Sequence, residues 1–250
     1  TVSPSLIGEM CFDRILEDAH DGANLMLWGV GNHGGGPSRK DLEDNIRLFI
    51  IQIYIGGVFM DNKPIKELEL YLIRHGQSMG NAGYDKTDLT EKEMHDPVLT
   101  EKGIKQADNA GKYLRGIDFD AVLSSAMLRA VQTATGILKH QQNQKTLNIL
   151  PLACEMMFAP EYKGVTMEEL KTINPNAVLA PDVAPDSPMI YSNTVDNDEA
   201  GTYERAGKVL DYLREHYKNG EKVALVSHAA FITYIVFTLM GYTQKSPCFD

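Results

Sequence analysis

Four short apolar runs constrain this chain more than any other feature: ELYLI (69–73), DAVLSS (120–125), TLNILP (146–151) and KVALVS (222–227). None alternates cleanly between apolar and polar residues. Each therefore reads as a strand buried on both faces, the pattern of a parallel sheet covered by helices. The text between them has helical spacing. In TYERAGKVLDYLREHY (202–217), Tyr203, Ala206, Val209, Leu210, Leu213 and Tyr217 share one face and the charges lie on the other. Residues 100–115 repeat this more weakly through Ile104, Ala107, Ala110 and Leu114, and Thr166 with Glu169 forms a capping-box pattern that opens another helix. The expected fold is α/β: a three-layer sandwich with a mostly parallel sheet flanked by helices. Residues 173–201, with Pro175, Pro181, Pro185 and Pro188 among Asp and Asn, have loop composition and read as a lid-like insertion.

Lys and Arg number 24 against 34 Asp and Glu in 250 residues, a net charge of −10. That balance opposes general affinity for nucleic acid or an anionic membrane, so an anion must be held by a local cationic pocket. The most apolar stretches, 48–60 and 231–241, are shorter than the roughly 20 residues that span a bilayer. Cys11, Cys154 and Cys248 are odd in number, without metal or redox spacing, and no signal-peptide pattern is present, so a cytoplasmic location is expected. No carboxylate cluster or His/Cys spacing suggests a metal site, and neither metal nor cofactor is expected.

The chemistry sits where the strands stop. In open α/β sheets, ligands bind beyond the carboxyl ends of strands. The run 69–73 ends in Arg74-His75-Gly76, the run 120–125 passes through two serines into a helix carrying Arg129, and the run 222–227 ends in Ser227-His228 before another helix. An isolated Arg-His-Gly reads as a capped strand end at the surface. Three strand ends carrying two arginines and two histidines instead describe one rim, to which helix N-termini add N–H donors. Such a pocket suits a compact dianion such as a phosphoryl group, which Arg grips bidentately.

Residues 70 to about 240 resemble the histidine phosphatase (phosphoglycerate-mutase-like) superfamily. The matching motifs are RHGQSMGN (74–81), DPVLTEKGIKQA (96–107), SSAMLRAVQTA (124–134) and VSHAAFI (226–232). The resemblance implies that His75 is a nucleophile forming phosphohistidine. It makes Arg74, Arg129 and His228 the holders of the phosphoryl oxygens, Asn81 a supporting donor and Glu155 the proton donor to the leaving group, with His228 also counted as catalytic. Glu161, in the same LACEMMFAPEYKG segment (152–164), is the alternative to Glu155. His95, His140 and His216 read as solvated.

The substrate implied is a small phosphorylated compound, and the expected activity is metal-independent phosphoester hydrolysis. Phosphoglycerate-mutase-type transfer and a catalytically weak phosphoryl-binding scaffold are the alternatives. Residues 82–100 are acidic and lack the tryptophan-containing segment typical of cofactor-dependent mutases, which favours a phosphatase. His228 is followed by Ala229 where the acid phosphatase and phytase branch carries Asp.

The first 59 residues do not share this pattern. LMLWGVGNHGGGPSRKDLED (25–44) resembles a glycine-rich segment of zinc-dependent α-mannosidases, without their His-x-Asp zinc-binding text, so no mannosidase activity is expected. Residues 1–59 are expected to be an appended or artefactual segment with weak order, the phosphatase portion beginning at Met60. After SPCFD (246–250), family members usually continue into one more strand, so a C-terminal strand is expected to be missing.

Overall fold

The computed structural model describes residues 25–29, 49–55, 59–60, 63–64, 68–82, 90–143, 146–156, 161–191 and 199–241. Its main sheet has the order β1-β2-β5-β9-β6-β7-β8. Four of these strands match the apolar runs: β5 (Leu68–Arg74), β6 (Ala121–Ser124), β7 (Leu147–Ile149) and β9 (Glu221–Ser227). With β8 (Ala177–Leu179) they pair in parallel throughout. β1 (Leu25–Gly29) and β2 (Phe49–Ile55) extend the sheet antiparallel beyond β5. A separate two-stranded ribbon joins β3 (Phe59–Met60) to β4 (Lys63–Pro64).

The lack of alternation in the strands has a direct cause. Along β5, Leu70 and Leu72 enter one apolar core while Tyr71 and Ile73 enter a second on the opposite face. The first core is closed by α5 (Glu199–His216) and α6 (Ala229–Leu239), through Val209, Leu213, Phe231 and Ile235. The second is closed by α2 (Glu101–Leu114), α3 (Leu128–Leu138) and α4 (Met167–Ile173), through Leu114, Val131, Ile137 and Leu170. A short helix, α1 (Glu91–His95), opens with a complete Thr90/Glu93 capping box. Three layers are therefore present, and both sheet faces exclude water, each buried Leu, Ile or Val contributing about 1.5–3 kcal/mol.

Several local features differ from the sequence reading. Ile104 is 53% exposed; the buried face of α2 instead uses Gly103, Ala107, Ala110, Gly111 and Leu114. Small residues win there because α2 packs closely against α3: a Cβ on Gly136 would lie 2.7 Å from that of Ala107. The stretch 173–201 holds the edge strand β8, whose three residues are too few to set a period and whose Val178 is exposed. Residues 192–198 of that stretch lie outside the described residues. Within 1–59, β1 and β2 are strands of the main sheet and Ile53 is buried in the first core, while 1–24, 30–48 and the C-terminal 242–250 lie outside the described residues.

Candidate active site

Three adjacent parallel strands, β5, β9 and β6, end side by side. The backbone N–H of His75 donates to the carbonyl of Ser227 at 3.0 Å, and that of Ser125 donates to Val226 at 3.0 Å. These bonds carry the parallel ladder one residue past the strands and fix where the next side chains start. His75 follows β5, His228 follows β9 as the N-cap of α6, and Arg129 is the second residue of α3. The two imidazole rings lie 5.1 Å apart at 57°.

The loop carrying His75 rests on the first turn of α2. A Cβ on Gly103 would sit 2.1 Å from the carbonyl oxygen of Gln77, and one on Gly76 would sit 2.6 Å from that of Gly103. Both positions require glycine for this approach. Thr100 caps α2 by accepting from Gly103 N–H at 3.0 Å, while its own N–H donates to Gln77 at 2.9 Å. Thr133 completes the seat: its Oγ1 accepts from Gly76 N–H at 3.0 Å and donates to the Arg129 carbonyl at 2.7 Å.

His75 is buried, and its Nδ1 lies 2.6 Å from the Gly76 carbonyl. A carbonyl only accepts, so Nδ1 carries the proton and Nε2 carries the lone pair. Arg129 Nε donates to that Nε2 at 3.2 Å. Burial and then Arg129 hold the His75 pKa well below the usual imidazole value; the Gly76 carbonyl opposes them, and Arg74 adds to the lowering. His75 is thus a neutral imidazole at pH 7 with Nε2 turned toward a cation. His228 is fully buried, with Nε2 2.7 Å from Ser125 Oγ and, among the described residues, no hydrogen-bond partner for Nδ1. Its pKa is also held well below the usual value, by burial first and then by Arg129, His75, Arg205 and Arg74. Arg74, half-buried at the end of β5, therefore acts electrostatically on both rings.

Glu155 follows the 3-10 turn Pro151–Ala153, and its Oε1 accepts from Met156 N–H at 2.9 Å and from Phe231 N–H at 3.1 Å. Phe231 lies in the first turn of α6, the helix that His228 caps, so this carboxylate and His228 share one helix start. Glu161 is exposed. Asn81 is exposed on the 3-10 turn Met79–Ala82, where its Oδ1 accepts from Ser78 Oγ at 2.9 Å and Ser78 N–H at 3.3 Å. The structure thus brings His75, Arg129 and His228 together, sets Glu155 at the start of α6, and uses the Asn81 carbonyl to close its own turn. Among the described residues no group of three or more His, Cys, Asp or Glu could hold a metal ion.

A family profile described as "Histidine phosphatase superfamily (branch 1)" matches residues 70–247. The chain belongs to the histidine phosphatase superfamily. It is similar to a Xenopus laevis protein named fructose-2,6-bisphosphatase TIGAR, 34% identical over 106 residues, covering 42% of this chain and 37% of the relative. It is also similar to a 2,3-bisphosphoglycerate-dependent phosphoglycerate mutase of Bartonella henselae, 44% identical over 86 residues, covering 34% of this chain and 39% of the relative. The matches thus span well under half the length of these two relatives. Among solved structures, the ecdysone phosphate phosphatase of Bombix mori in complex with tungstate superposes with a TM-score of 0.50 at 20% identity, covering 72% of this chain and 80% of that one. That likeness supports the fold.

Two further residues of this candidate site carry no role in the sequence reading. Asp96 is completely buried, and its carboxylate accepts from Leu128 N–H at the start of α3 (2.9 and 3.2 Å), from Arg129 Nη1 at 3.4 Å and from Tyr162 OH at 3.4 Å. Burial raises its pKa to about 6 against the opposing pull of Arg129, the Leu128 N–H, Tyr162 and Lys92. The second is Arg205, 5% exposed on α5, which donates to carbonyls of the loop carrying Glu155. Asp96 opens the motif DPVLTEKG, so a signal existed without a role attached to it; Arg205 has no signal beyond one charge on an amphipathic helix. Of the three histidines read as solvated, His140 pairs with Asp108 at 2.6 Å, His216 pairs with Asp182 at 3.0 Å, and half-buried His95 stacks on Tyr162 at 5.4 Å.

Proposed function

We propose that this chain hydrolyses a small phosphoester through a phosphohistidine intermediate on His75. The observation that carries the reading is the neutral His75 ring with Nδ1–H fixed on Gly76 O and the Nε2 lone pair facing Arg129. In the first step Nε2 attacks phosphorus, the bond from phosphorus to the ester oxygen breaks, and Glu155 gives that oxygen a proton. In the second step water attacks the phosphohistidine, Glu155 takes a proton from it, the P–N bond breaks, and phosphate leaves with His75 neutral again.

Arg74, Arg129 and His228 hold the transferring group, whose chemistry depends mainly on positioning and charge stabilisation. Glu155 is preferred to Glu161 as proton donor because its carboxylate is held at the start of α6 beside His228, whereas Glu161 is exposed. Asn81 supplies a supporting hydrogen bond from its amide nitrogen, the Oδ1 being engaged by Ser78.

Mutase-type transfer is the second reading, favoured by the likeness to a phosphoglycerate mutase. The acidic stretch 82–100 favours hydrolysis. Incubation with a phosphoglycerate separates the two: inorganic phosphate supports the hydrolase, and the positional isomer without phosphate overturns it.

A further inference from the structure

Arg205 is a buried cation whose hydrogen bonds among the described residues go to one short loop. Its Nη1 donates to the carbonyls of Leu152 (2.8 Å) and Cys154 (2.5 Å), and its Nη2 donates to the carbonyl of Glu155 (3.4 Å). The guanidinium carbon also lies 3.9 Å over the ring of Phe231. Phe231 is the residue whose N–H holds the Glu155 carboxylate. One planar group thus grips both supports of that carboxylate, the backbone that carries it and the helix start that receives it. Only a fork of fixed donors can do this; a lysine ammonium cannot bridge three carbonyls while lying flat on a ring.

We infer that Arg205 is the positioning residue for the proton donor, setting the Glu155 carboxylate by clamping the loop 152–155 to the start of α6. The inference rests on Glu155 acting as proposed above. Among the described residues Arg205 makes no hydrogen bond to Arg74, His75, Arg129 or His228 and reaches that pocket only through its field on His228, so its loss acts chiefly where leaving-group protonation matters. An alkyl phosphate needs that proton, whereas an aryl phosphate with a stable phenolate needs it little.

The experiment measures kcat/KM, which reports the steps through first phosphoryl transfer, for the full chain on glycerol 1-phosphate and on 4-nitrophenyl phosphate. Arg205→Met and Arg205→Lys are both expected to lose roughly 10- to 100-fold on the alkyl ester and less than about threefold on the aryl ester, a fraction of the ~10²–10⁴ available from general acid catalysis. Equal losses on both esters assign Arg205 a merely structural role and overturn the inference. Full recovery by lysine does so as well, since it makes the role one of charge.

Should the Arg205 variants fail to fold, Phe231→Leu removes the ring while keeping the N–H that holds Glu155. It is expected to show the same selectivity in smaller measure, and an unselective loss counts against the inference. A wild-type chain that turns over neither ester overturns the phosphatase reading itself, an outcome distinct from unselective variants of an active enzyme.

Discussion

Arg129 and Arg205 are both buried beside the carboxyl end of the sheet, and opposite chemistry holds them. Arg129 faces a carboxylate, Asp96, which is itself fully buried and also accepts the first N–H of α3. The hydrogen bonds of Arg205 go to carbonyl dipoles and to the Cys154 sulfur, and its flat face rests on an aromatic ring. The wall of the proposed nucleophile is therefore organised by a buried ion pair, and the wall of the proposed proton donor by carbonyl dipoles and an aromatic ring. Damage to the two walls should be separable by leaving group: the first serves every phosphoester, the second mainly those with poor leaving groups.

The largest effect should come from breaking the first wall. Arg129→Ala removes a cation that touches His75 Nε2, and kcat should fall by about 10²–10³ on aryl and alkyl esters alike. A loss confined to alkyl esters would merge the two walls. Next comes Asp96→Asn, read out as stability against pH. A folded carboxyl raised from 3.8 to about 6 contributes stability that is present below the unfolded value and lost as pH rises through about 6. Between pH 4 and 7 the wild type should lose about 2 kcal/mol relative to the Asn variant, most of the displacement at about 1.4 kcal/mol per pH unit, as measured by denaturant unfolding. A flat difference would show that the pair does not titrate there.

Gly103→Ala should cost about 1–3 kcal/mol, because its Cβ would strike the Gln77 carbonyl. By displacing the His75 loop it should slow both esters equally. Smallest is Ser227→Ala, which removes the 2.7 Å bond from its hydroxyl to Ala153 and leaves a buried carbonyl of the second wall without that donor. A loss of about 1 kcal/mol in stability is expected, with a few-fold decrease confined to the alkyl ester.

The two walls were unequally legible in the sequence. Strands buried on both faces announce themselves by losing alternation, and Arg74, His75, Arg129 and His228 stand out because they lie at the ends of such strands or at the start of the helix that follows. Asp96 has no strand before it, and its contact with the start of α3 joins residues 32 apart. Arg205, in TYERAGKVL, has the spacing and neighbours of a solvated helix charge. Its burial becomes visible only once the 152–155 loop is folded over it. For the same reason the apolar run containing β2 gave no sign of its antiparallel pairing with β5, since a run without alternation does not say which edge it joins.

The central claim is that His75 Nε2 carries the phosphoryl group, and trapping the intermediate tests it most directly. The full chain is mixed with a radiolabelled aryl phosphate, quenched without acid, and digested for mapping. Label on Nε2 of His75, absent from His75→Ala together with turnover, is the predicted result. Label on His228, or undiminished turnover by His75→Ala, would contradict it.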